Sequence, residues 1–368
     1  MRSYRHARNR TGHRSPSRWR TLLAVPVVLF GLLATTTACG DDGDKPDVAS
    51  AGGAKDAPAK IRIGYQLIPN GDLLVKNRKW LESALPNTSI TWTKFDSGGD
   101  VNTAMIAGQI DIGLAGSSPV TKGLTAPLNI GYRVPWIFDV IGENESLVVR
   151  KGKVASVADL VGKKVATPFA STAHYSLLAA LTGAGVDPGK VDVIDLEPQD
   201  ILAAWQRGDI DGAYVWTPTL AELRKTGDVL VTSRQLAEQG KPTADLAVVR
   251  SEFADKYPTT VQTWIKEQDR AVKLIREQPD EAAAAIGTEL NIPAEQAKAQ
   301  IAELVLLDAA QQKSAQYLGT PTAPGAFAQN LAGAAEFLES QGKIDSVPPL
   351  ATFQAGIDTR NLNDAFPG

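Results

Sequence analysis

The sequence predicts an α/β protein of two lobes, each a mainly parallel sheet flanked by helices, with two hinge crossovers between them. Three observations predict it. Short apolar runs alternate with helical runs from residue 61 to about residue 216, the alternation comes in two sets, and the last 120 or so residues are amphipathic helix with few strands. Alternating strand and helix builds a mainly parallel sheet with helices on its faces. A helical block following two such sets packs back on a lobe already formed, so the chain crosses between lobes twice, near residues 143–149 and 244–249. Two adjacent crossovers form a hinge.

The elements follow in chain order. The first 38 residues hold seven Arg and no acidic residue, and include an apolar run at 22–33. That is the pattern of an export signal, with a run too short to span a bilayer comfortably. It ends at Thr37-Ala38-Cys39-Gly40, which resembles the lipobox of bacterial lipoproteins, with Thr36 where Leu is usual. Cys39, the only cysteine, is therefore the expected acylation site, and the protein is expected to be exported and anchored to the outer face of the cell membrane. Residues 40–60, rich in Asp, Gly, Ala, Pro and Lys, read as a flexible tether after the 1–39 signal and lipobox.

The first alternating set predicts strands at 61–65, 89–93 and 110–115, with helices at 73–85, 101–107 and from Pro119. The second follows Leu147-Val148-Val149, with strands at 164–167, 191–196 and 210–215 and helices at 173–181 and 201–206. Ala107-Gly108-Gln109-Ile110-Asp111 and Arg207-Gly208-Asp209-Ile210-Asp211 echo each other, and Gly in each suits the left-handed residue that ends a helix. Helical stretches at 261–276, 279–287, 294–307 and 326–341 complete the chain. One lobe is thus expected at 61–143 with 247–368, the other at 144–246.

Composition excludes several classes. The 38 basic residues lose seven with the signal while all 41 acidic ones stay, so 31 face 41 and nucleic acid is not an expected partner. His6 and His13 also leave, and His174 alone remains. A histidine-built metal site or a Cys-His pair is excluded on that count. No Walker A sequence and no G-x-G-x-x-G follows a strand, and no cofactor or metal is expected.

The chemistry lies where strands run into helices. Pro168-Phe169-Ala170-Ser171-Thr172-Ala173-His174-Tyr175-Ser176 follows an apolar strand and opens a helix, so its first turn presents hydroxyls, free N–H groups and the positive dipole end to an anion. Gly116-Ser117-Ser118-Pro119 makes a second such junction, with Ser118 read as N-cap and Pro119 as the first helical residue. Two junctions facing one cleft are suited to share one anionic group.

Lys94-Phe95-Asp96-Ser97-Gly98, Gly116-Ser117-Ser118-Pro119, Ser171-Thr172-Ala173-His174-Tyr175-Ser176 and Ala203-Ala204-Trp205-Gln206-Arg207-Gly208-Asp209-Ile210-Asp211-Gly212-Ala213-Tyr214-Val215-Trp216 closely resemble the taurine-binding proteins of bacterial ABC importers, within the type II periplasmic-binding-protein superfamily. The likeness runs over residues 61–250, is loose in the helical tail, and meets a segment at 130–142, with Trp136, that is longer than its family counterpart. It implies a type II two-lobed fold, capture of taurine or a similar small sulfonate, a membrane permease with its ATPase as partners, and a monomer without catalytic role.

Taurine carries a sulfonate and an ammonium two methylenes apart. Ser117, Ser118, Ser171 and Thr172, with the amides around them, are the expected sulfonate donors. Glu145 and Asp245, one in each crossover, are expected to meet the ammonium, the alternative being solvated hinge charges. Trp216, at the carboxyl end of a strand, is placed to cover the methylenes or face the ammonium. Gln66 closes the first strand beside Tyr65 and is expected to reach the cleft. Trp205 and His174 read as packing residues. Other aliphatic sulfonates or small oxyanions remain alternative ligands, and a thiamine-pyrimidine-synthesis enzyme or a surface adhesion lipoprotein alternative functions.

Overall fold

The computed structural model describes residues 57–367. Cys39, the export signal and all of the tether before residue 57 lie outside them. Two sheets organise the described residues. The first takes its strands in the order β2 (Ser89–Lys94), β1 (Lys60–Tyr65), β3 (Ile112–Gly116), β11 (Ala244–Arg250) and β4 (Tyr132–Arg133), with β5 (Ile137–Val140) also on β11. The second runs β8 (Asp192–Asp195), β7 (Lys164–Thr167), β9 (Gly212–Trp216), β6 (Glu145–Arg150) and β10 (Gly227–Thr232).

The two orders correspond strand for strand. In each sheet the three strands that the alternation predicts are parallel, β2-β1-β3 and β8-β7-β9. The strand beside them is antiparallel, β11 on β3 and β6 on β9, because it enters from the other sheet. The sequence echo sits at matching places just before β3 and β9. Asp111 N–H donates to Arg62 O at 2.8 Å while its carboxylate accepts from Arg62 N–H, and Asp211 repeats both bonds with Lys164, again at 2.8 Å from its N–H. Gly108 and Gly208 have φ of 63° and 84°, left-handed values that suit glycine.

Helices cover both sheets. Those that matter to the cleft are α1 (Gly71–Arg78), α2 (Trp80–Ala84), α3 (Gly98–Ile106), α4 (Ser117–Leu124), α5 (Thr172–Gly183), α6 (Pro198–Arg207), α7 (Thr219–Arg224) and α8 (Ser233–Glu238). The tail adds α9 (Ser251–Lys256), α10 (Pro258–Glu277), α11 (Pro279–Leu290), α12 (Ala294–Ile301), α13 (Ala309–Gln312) and α14 (Phe327–Ser340). Its apolar faces share one core with the first sheet, joining Ile61, Ile63 and Leu246 to Trp264, Ile286 and Leu331. The second sheet has a smaller core on each face, around Leu177 and Tyr214 on one and around Ile201 and Trp205 on the other.

Several boundaries differ from expectation for physical reasons. The helix expected at 73–85 is two helices, broken where Lys79 takes a left-handed φ of 51°. The stretch at 294–307 stops being helical after Ile301, because Val305 forms a bridge to Val140. Residues 130–142 add β4 and β5 to the first sheet and bury Trp136. The chain rejoins that sheet at Ala244, earlier than residue 247, since β11 pairs with β3 from Asp245 onward.

Candidate ligand-binding cleft

The carboxyl ends of the parallel strands of both sheets converge on one small cavity. From the first sheet it is lined by Gln66, Ile68, Gly116 and Asp245, and from the second by Glu145, Ser171, Thr172 and Trp216. Ile141 and Asn144, in the segment linking β5 to β6, close it on the hinge side.

Two helix starts border the cavity. At α5 the N-cap is Ser171, whose Oγ accepts from His174 N–H at 3.1 Å and donates to Pro168 O at 2.6 Å. The N–H groups of Thr172 and Ala173 remain without intrahelical partners. Ala170, just before the cap, takes φ of 60°, a left-handed value uncommon for a residue with a Cβ and typical of functional sites. At α4 the N-cap is Gly116, so Ser118 is not the cap and Pro119 is the third helical residue. The bare Gly116 places that helix start against the other one. A Cβ there would lie 2.7 Å from Thr172 Cγ2.

The expected hydroxyl donors divide by geometry. Ser117 and Ser118 are buried and do not line the cavity. Ser117 Oγ accepts from Ala244 N–H at 3.4 Å, and Ser118 Oγ has no hydrogen-bond partner among the described residues. Thr172 Oγ1 donates to Glu145 Oε2 at 2.6 Å, so its hydroxyl serves the carboxylate. Gln66 Nε2 donates to Leu114 O at 3.0 Å, which fixes the side chain with its oxygen free.

Two carboxylates line the same cavity beside those helix starts. Glu145 is fully buried, directly opposite Trp216 on the neighbouring strand. Besides Thr172 it accepts from Ser233 Oγ at 2.8 Å and Ser176 Oγ at 3.3 Å, with Tyr214 OH 3.1 Å from Ser233. Burial pushes its carboxyl up to about 7, against the pull of these three donors. Asp245 is 5% exposed and lies in register with Gly116 on one side and Asp139 on the other. Its carboxyl is pushed well above the usual range by burial and by the charges of Asp139 and Glu145. Among the described residues none of the three carboxylates has a Lys or Arg ion-pair partner.

Asp139, Asn70 and Asn144 are missing from the sequence-based set. Asp139 lies in the long 130–142 segment, where alternation around β5 was the available signal, since Ile137 and Asp139 take one face. Asn144 adjoins Glu145 in the crossover, and its Oδ1 accepts from Gly142 N–H at 2.8 Å. His174 packs as expected: Phe169 stacks on it at 4.5 Å, Ala170 N–H donates to its Nδ1, and burial lowers its pKa to about 4. Trp205 is buried with its Nε1 donating to Thr226 Oγ1 at 2.9 Å.

A family model described as NMT1/THI5 like matches residues 93–282. The taurine-binding periplasmic protein of Escherichia coli is 37% identical over 265 residues, covering 70% of this chain and 80% of that protein. The alkanesulfonate-binding protein of Xanthomonas axonopodis pv. citri, solved bound to MOPS, superposes with a TM-score of 0.67 at 22% identity, over 82% of this chain and 98% of its own. The periplasmic aliphatic sulphonate binding protein of Escherichia coli gives a TM-score of 0.64 at 22% identity, over 80% and 92%.

Proposed function

The chain belongs to the NMT1/THI5-like family, and from that premise we propose that it is the substrate-binding component of an ABC importer that captures taurine between its two lobes. One observation carries the choice of ligand. The cavity brings two helix starts together with carboxylates that have no Lys or Arg partner among the described residues. A group of carboxylates buried in that way is costly unless a cation or protons offset them. The ammonium of a zwitterion supplies that charge, while the sulfonate, ionised at all physiological pH, needs fixed donors and no proton chemistry. Trp216, which lines the same cavity, suits the methylenes.

The ligand-binding set is Gln66, Ser171, Glu145, Trp216 and Asp245, with Ser117, Ser118 and Thr172 contributing through backbone N–H groups. The protein is a monomer without catalytic role, and hands its ligand to a membrane permease with its ATPase. Export is supported by the arginine-rich start and apolar run, and anchoring through Cys39 by the lipobox-like Thr37-Ala38-Cys39-Gly40.

Calorimetry with taurine, ethanesulfonate and sulfate tests the ligand. Taurine is expected to bind tightest. Asp245→Asn is expected to cost taurine about 2 to 5 kcal/mol and leave ethanesulfonate almost unchanged. Equal binding of taurine and ethanesulfonate by the wild type would transfer the assignment to plain aliphatic sulfonates.

A further inference from the structure

Asp139 of β5 and Asp245 of β11 are register partners on adjacent antiparallel strands, 0% and 5% exposed. Like charges directly opposite on neighbouring strands repel. At this burial the repulsion is poorly screened by solvent and salt. Two carboxyls that share one proton carry a single charge and gain a hydrogen bond.

The surroundings select the atoms for such sharing. Asn70 Nδ2 donates to Asp139 Oδ1 at 3.2 Å, while Asp139 Oδ2 is buried with no hydrogen-bond partner among the described residues. Asp245 lines the cavity and Asp139 does not. The other ionisable group acting on the pair is Glu145 on β6, whose oxygens are occupied by Thr172, Ser176 and Ser233. Burial and the neighbouring carboxylate charges hold both members of the pair above the ordinary aspartate range, in keeping with a retained proton.

Resting on the reading of the ligand as an amine-bearing sulfonate, we propose that Asp139 is a positioning residue for selectivity, sharing one proton with Asp245 so that a single charged Asp245 oxygen is aimed at the ligand's amine. Asn70 fixes Asp139 from behind. The pair then presents one negative charge in a set direction, which rewards a ligand with an N–H cation and gives nothing to one ending in a methyl group.

The experiment compares taurine and ethanesulfonate affinities in the wild type, Asp139→Ala and Asp139→Asn. Asp139→Ala is expected to lower the preference for taurine about tenfold with ethanesulfonate affinity held. Asp139→Asn, whose amide N–H replaces the shared proton, is expected to keep the preference within about threefold. A merely structural role would weaken both ligands together. Infrared difference spectra of the wild-type taurine complex are expected to show a protonated-carboxyl band that Asp139→Asn removes, a readout independent of whether Asp139→Ala folds. An unchanged preference in Asp139→Ala, a loss in Asp139→Asn equal to that in Asp139→Ala, or absence of the band overturns the inference. A wild type without preference for taurine overturns the functional reading itself, and this inference with it.

Discussion

At the scale of single residues, the cleft is governed by what burial does to a carboxylate. Glu145 has its pKa raised from 4.5 to about 7. A carboxyl whose folded pKa lies above its unfolded one holds its proton more tightly when folded. Its contribution to stability is therefore fully present below about pH 4.5 and is lost as pH rises through about 7. Glu145→Gln never ionises. Without ligand it is expected to exceed the wild type in stability above pH 7 by an amount on the order of 3 kcal/mol, with the gap closing below about pH 4.5. Thermal denaturation of both proteins across that range checks the claim, and parallel curves would refute it. Glu145 and Asp245 were legible as candidates because each is an acid in a crossover. Asp139 was not, since only the pairing of β5 with β11 brings it opposite Asp245.

At the scale of elements, two helix starts lie in contact beside the cavity. The strand-to-helix junctions were legible from Ser, Thr and Pro at the ends of apolar runs, and the Ser171 cap forms as that pattern predicts. The position of the second cap was not, because Gly116 rather than Ser118 leaves the extended backbone last. The hydroxyls of Ser117 and Thr172 are then drawn to Ala244 N–H and Glu145. Gly116 matters for its lack of a side chain. Gly116→Ala would bring a methyl to 2.7 Å from Thr172 Cγ2 and push the helix starts apart. The expected cost of such overpacking is about 1 to 3 kcal/mol in binding, equal for taurine and ethanesulfonate because both carry the sulfonate. An effect on taurine alone, measured by calorimetry, would contradict this account.

At the scale of the whole molecule, elements far apart in sequence meet across the cleft. Phe337 of α14, whose helix shares the core of the first sheet, lies edge-on to His174 at 5.8 Å and to Tyr175 at 4.9 Å on α5. Arg224 of α7 pairs with Glu303 of the tail at 2.6 Å. Aromatic edge contacts contribute about 0.5 to 1.5 kcal/mol each. Phe337→Ala is accordingly expected to weaken taurine and ethanesulfonate alike by about tenfold, chiefly through faster release, with selectivity unchanged. Stopped-flow release kinetics would show it, and a change in selectivity would mean that Phe337 acts on the cleft chemistry.

The chain by itself determined the alternation of strand and helix, the paired lobe grammar around Asp111 and Asp211, and the residue types at the helix starts, because periodicity and capping are local properties. Only the tertiary structure decided which hydroxyls are tied to other groups, that β5 sets a second buried acid opposite Asp245, and that the helical tail reaches back to α5. Those outcomes depend on strand pairing and on competition for hydrogen bonds between segments distant in sequence, which no local pattern records.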